Sequence, residues 1–202
     1  MDRRTLLAAT AVAGLLLSGC AASAAGSNAD PAPSHAMPDG TEMSGSEHDE
    51  HASEVPDGPA AAAQMVCAGS VVTAITKILG LGAKPTPTAT WDQPEYSCTY
   101  DVGNGPLVLS VHDATDMADG EAHFTALRDS LPNAEDIPGL LGLGLPSFST
   151  GEGIVAFLRD GKTLVVDATA LPSGLGPDGT RTQDQVAYAV ASAVLTCWVD
   201  HS

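Results

Sequence analysis

The sequence predicts an α+β domain over residues 59–202, an antiparallel sheet of about five strands with helices packed on it. Three observations predict it. Apolar residues recur at three- and four-residue steps between Ala61 and Leu79, the period of a helix face. Residues 96–111 instead alternate in polarity on both sides of a Gly-Asn-Gly turn, the period of half-buried strands. Tight turns also join the later strands, and strands joined in that way are antiparallel neighbours.

The first helix carries Ala61, Met65, Ala68, Val72, Ile75 and Leu79 on one face, and Gly80 and Gly82 end it. Residues 84–88, with prolines at 85 and 87, read as a stiff extended connector. Tyr96, Cys98, Tyr100 and Val102 form the inward face of the first strand, Gly103–Gly105 turns the chain, and Leu107, Leu109 and Val111 line the return. Asp116 is placed to cap a second helix with Ala122, Phe124, Leu127 and Leu131 as its apolar positions. A loop rich in glycine and leucine, 137–145, precedes strands at 145–150, 154–159 and 162–169. Asp160-Gly161 between the last two is a pair favoured in type I′ hairpins. Thr182 and Gln185 have the capping-box spacing and open a last helix with Val186, Val190, Ala193 and Cys197 on one face. The expected order is α-ββ-α-βββ-α, and a chain of this length can bury most of its apolar surface around one core.

The residues before this domain read as an address and a spacer. Arg3 and Arg4 precede an apolar run from Leu6 to Leu17. As a helix that run is about 18 Å long, too short for a hydrocarbon core of about 30 Å. It is therefore expected to be a signal peptide, 1–19, rather than a membrane span. Leu17-Ser18-Gly19-Cys20 follows the bacterial lipobox, which implies cleavage after Gly19 and a diacylglyceryl thioether on Cys20. Two acyl chains hold a protein stably on a membrane where one does not. Arg3-Arg4 leaves both general and twin-arginine export open. Removing 1–19 leaves six basic and 24 acidic residues, a formal charge of −18. Such a surface repels nucleic acid and anionic headgroups, so nucleic-acid binding is excluded.

Residues 20–58 form the tether. Val55 is the only Val, Ile, Leu or Phe within it, and it holds eight acids and no Lys or Arg. That composition cannot offset the entropy of ordering, so the stretch is expected to be disordered. As a flexible coil it spans roughly 35 Å. His35, Met37, Met43, His48 and His51 lie along it. Imidazole suits Zn²⁺ and Cu²⁺, and thioether suits Cu⁺. Weak capture of Zn or Cu by these five residues is one reading, and a solvated spacer whose histidines have no role is the other.

With Cys20 lipidated, Cys67, Cys98 and Cys197 remain. Export favours one disulfide with one leftover, buried and inert thiol. Cys67–Cys98, tying the first helix to the first strand, is the favoured pair, with Cys98–Cys197 as its rival. Several of these features together resemble a group of small actinobacterial lipoproteins with an exported domain of unknown function. They are the lipobox, Cys67 early in the first helix, Trp91 ahead of Tyr96-Ser-Cys98-Thr-Tyr100, Ile137-Pro-Gly-Leu140 and Asp160-Gly161. The resemblance covers about residues 65–200 and implies a bond between the first-helix and first-strand cysteines. Cys197 departs from the group's two-cysteine pattern, and the group brings no activity with it.

No nucleophile elbow, zinc-protease helix motif or phosphate-binding loop is present. The glycines of 139–144 have the wrong order for dinucleotide binding, and the leucines among them suit a partner or lipid chain if exposed. His112-Asp113 with Asp116 and His123 is the folded domain's one polar cluster of note. It reads as two solvated histidines, against a surface metal or acid–base site. The expected function is a non-enzymatic binding or interaction module, lipid-anchored on the extracytoplasmic face of the membrane, with an unknown protein or small-molecule partner. Its rivals are a structural lipoprotein on an inert spacer and a carrier of a hydrophobic ligand. The carrier needs a cavity of a few hundred Å³ between helices and sheet.

Overall fold

In the computed structural model, which describes residues 58–198, two antiparallel meanders share one seven-stranded sheet. The first is β1 (Pro87–Asp92), β2 (Glu95–Asp101) and β3 (Pro106–His112). The second is β4 (Glu135–Asp136), β5 (Ser147–Ser149), β6 (Ile154–Arg159) and β7 (Lys162–Asp167). Pairing of β3 with β7 joins them, giving the order β1-β2-β3-β7-β6-β5-β4. The α+β class and the antiparallel sheet are as expected, with seven strands in place of five. β1 begins inside the segment expected as a connector, and Pro87 stands at its first residue, where a sheet edge tolerates proline.

Strand alternation divides the core in two. Leu107, Leu109, Val111, Val155, Phe157, Leu164 and Val166 face α2 (Gly69–Leu79) and α4 (Gln183–Thr196). Ala156 and Leu158, one residue out of phase, face α3 (Met117–Ser130), where Phe124 packs on Phe148 with ring centroids 5.3 Å apart. The domain is thus three layers: α2 and α4, the sheet, then α3. The stretch Ala61–Leu79 is apolar and long enough to cross a membrane by length and composition. Its Val66, Val71, Ile75 and Leu79 are buried in the larger core.

The first helix is not continuous. It is α1 (Ala61–Gln64), a 3₁₀ turn (Met65–Cys67), and then α2 after Ala68, whose ψ of 150° is extended. Two long-range ties hold the turn: Cys67 is bonded to Cys98, and the Tyr100 hydroxyl donates to the Val66 carbonyl. Burial raises the Tyr100 pKa far above the ordinary phenol value and keeps that donor protonated. Ala61 is consequently exposed rather than part of the inward face. Gly80 ends α2 in the left-handed conformation, φ 67°. Ala122 of α3 is exposed, and α4 buries Val186, Ala187, Val190, Ala191, Val194 and Leu195 rather than a stripe through Ala193 and Cys197. Asp160 and Gly161 adopt φ 52° and 70°, as a type I′ turn requires, and Thr182 and Gln185 form the expected capping box.

Candidate functional site

The short turn after β2 fixes a register. Asp101 lies opposite Pro106, so six residues back along β2 Glu95 lies opposite His112. Opposed residues share a face. Since Cys98, Tyr100, Leu109 and Val111 point into the larger core, Glu95 and His112 point to the α3 side. α3 begins five residues after His112, capped by Asp116, whose side chain accepts from the Asp119 N–H at 2.9 Å. That bond holds the Asp116 carboxyl below the usual carboxylate range. Two turns on, His123 lies face to face with His112, ring centroids 3.5 Å apart and planes 3° from parallel. Glu95 Oε2 stands 3.4 Å from His112 Nδ1. Burial, and then the neighbouring His112, lower the His123 pKa, which leaves its ring neutral at neutral pH.

The pair expected as two solvated histidines is therefore half-buried and stacked. Asp113 and Asp116 do not join it. Asp113 accepts from the Ala60 N–H at 2.6 Å and pairs with Lys162 Nζ at 2.5 Å, while Asp116 serves α3. Glu95 carries no local signal of its own; its link to His112 comes from counting outward from Gly103–Gly105 in strand register.

A second feature lies where the β6–β7 turn emerges between α3 and α4. An open groove of about 600 Å³ is walled by Met117, Leu143, Leu145, Pro146, Leu158 and Leu195, with Glu121, Asp160 and Thr196 among its polar rim. Arg159 on that rim is already engaged, donating to the Leu195 carbonyl and lying 3.4 Å from Asp160. Beside it the 137–146 loop exposes Leu140 at 92 %, Leu141 at 61 % and Leu143 at 47 %. Gly139–Gly142 winds a 3₁₀ turn, and Leu143 closes it in the left-handed region at φ 55°. For a leucine that conformation costs about 1–2 kcal/mol.

Cys67 and Cys98 form the favoured disulfide, Cα atoms 5.5 Å apart, which removes Cys98–Cys197. No free cysteine stands among the described residues, Cys197 included, so the expected leftover thiol is corrected. Cys20, His35, Met37, Met43, His48 and His51 lie outside the described residues. No family model, curated protein or solved structure matches this chain.

Proposed function

We propose that the chain is an exported, lipid-anchored, non-enzymatic binding module whose folded domain takes a small apolar ligand in the groove between α3 and α4. The observation that carries this reading is Leu143. It lines the groove, stays half exposed, and occupies a backbone conformation that leucine disfavours. Folding alone would favour glycine or asparagine there. Strain kept at an exposed apolar residue points to a use for the side chain, and three exposed leucines in one loop exceed what a domain surface needs. The groove's volume is in the range of small-molecule sites. The lipobox ending at Cys20 and the resemblance to small lipoproteins support the anchor. The acidic tether, 20–58, holds the domain off the membrane and captures Zn or Cu weakly through His35, Met37, Met43, His48 and His51.

Titration with the neutral apolar fluorophore N-phenyl-1-naphthylamine tests the groove. Saturable binding of one probe per chain is expected. Leu143→Gly should weaken it about tenfold, the loss of roughly 1.4 kcal/mol of leucine burial, while leaving thermal stability unchanged or slightly higher. Binding that ignores Leu143→Gly would place the probe elsewhere and remove the reading. The tether is tested by calorimetry of a 21–58 peptide with Zn²⁺ and Cu²⁺ at neutral pH, where heat consistent with micromolar or weaker binding is expected; no heat at millimolar metal makes the stretch an inert spacer.

A further inference from the structure

Glu95, His112 and His123 bring two imidazoles and one carboxylate together from three rigid elements: the start of β2, the end of β3 and the second turn of α3. One donor atom from each lies within 4.8 Å of both others. From these positions we propose that the folded domain carries a transition-metal site of its own, separate from the tether, with Glu95, His112 and His123 as ligands and at least one coordination position open to solvent.

The donor set suits the chemistry. Imidazole and carboxylate bind Zn²⁺ at about 2.0–2.2 Å, which sets tetrahedral donors roughly 3.4 Å apart. The three donors must close by at most about 1.5 Å to reach that spacing. Their backbones are held by strand register and a capped helix, so side-chain rotation supplies the movement. The rings now lie parallel, and an ion in their shared edge draws the two ring edges toward it. Glu95 is 40 % exposed and His112 19 %, which gives the ion an entry path beside a partly dry wall.

A separate observation points to the same place. Thr163 Oγ1 is the one fully buried side-chain oxygen without a hydrogen-bond partner among the described residues. Thr163 is the β7 residue directly opposite His112. Opposed antiparallel residues share a face with Cβ atoms about 4.5–5.5 Å apart, so this hydroxyl lies on the His112 side of the sheet. Metal-bound histidines pass their second ring nitrogen to such a group, which fixes the ring. Once Nδ1 turns to an ion shared with Glu95, the hydroxyl is placed to accept from the other ring nitrogen. We assign Thr163 as a positioning residue. Three protein ligands leave room for water or an external donor, as in exchangeable and reactive sites rather than closed structural ones.

The test uses the full mature chain carrying His35→Ala, His48→Ala and His51→Ala, so that binding reports the folded domain. Calorimetry with Zn²⁺, and the visible bands of Co²⁺ as a geometry probe, should give one ion per chain. Glu95→Gln and His123→Ala should each weaken binding at least 100-fold, since second-shell changes alone cost 10–100-fold. Glu95→Gln alters a partly exposed side chain and keeps the fold, as its unchanged metal-free melting profile will show. Thr163→Val should weaken binding 10–100-fold and alter the Co²⁺ bands while one ion still binds. No Zn²⁺ bound at millimolar concentration, or affinity unmoved by both ligand substitutions, overturns the site. Thr163→Val with wild-type affinity and bands removes its positioning role.

Discussion

Replacing Cys67 and Cys98 together by alanine is expected to remove about 3–4 kcal/mol of stability. The bond spans 31 residues, and the chain-entropy estimate for a loop of that length is about 3.7 kcal/mol. A domain of this size has a total stability of about 5–15 kcal/mol, so the loss is a large share, corresponding to a melting temperature lower by about 10 °C. The structural consequence is local. Cys67 pins the 3₁₀ turn to β2, and beside it the Tyr100 hydroxyl holds Val66. Without the bond the extended step at Ala68 loses one of its two ties, and α1 should fray before the sheet opens. Urea unfolding of the double variant, and of the native protein with and without reductant, measures the effect. An unchanged midpoint would mean that the bond does not constrain the unfolded chain in this way.

Gly120→Ala is the second large effect, and its sign runs against helix propensity. Alanine in a helix interior normally gains about 1 kcal/mol over glycine. Here an added Cβ would stand 1.8 Å from the Gly161 carbonyl oxygen and 2.5 Å from its carbon. Gly161 cannot retreat freely. It occupies a left-handed turn position, and the space on its other side is taken: a Cβ built there would lie 3.1–3.3 Å from Met117 and the Asp116 carbonyl. α3 must lift from the β6–β7 turn, at a net cost of about 3 kcal/mol, the upper end of ordinary overpacking. The lift would also carry His123, on α3, away from His112, which stays on β3. Gly69→Ala is the matched control. It opens α2 with nothing within 4 Å of the added carbon, so the same substitution there should stabilise by up to about 1 kcal/mol. Melting curves of the two variants decide the matter, and equal shifts of one sign would contradict the close approach of α3 to the hairpin.

These two glycines also mark how far the sequence could be read. Local signals were legible: the Asp160-Gly161 turn, the Gly103–Gly105 turn, the Asp116 cap and the Thr182 capping box each act within four residues, and each appears where expected. What depends on partners far along the chain was not. The break at Ala68 has no local cause, because Cys98 and Tyr100 impose it from the sheet. β1 lacks apolar alternation, since an edge strand buries little. β4 is two exposed residues with no period to detect. The His112–His123 approach was foreseeable from the short connection between them. Glu95 enters only through cross-strand register, a count that needs the turn length first. The groove could not be read at all, because its wall is assembled from α3, α4, a hairpin and a loop that lie far apart in sequence.

Native mass spectrometry of the protein purified from its host membrane shows whether an anchored module carries an apolar ligand. The expected result is a mature chain beginning at a diacylated Cys20, with a bound apolar molecule that the Leu143→Gly protein sheds. A chain free of acyl mass, or Cys20 recovered in a disulfide with Cys197, would contradict the anchor. A lipidated chain that retains no small molecule would contradict the ligand.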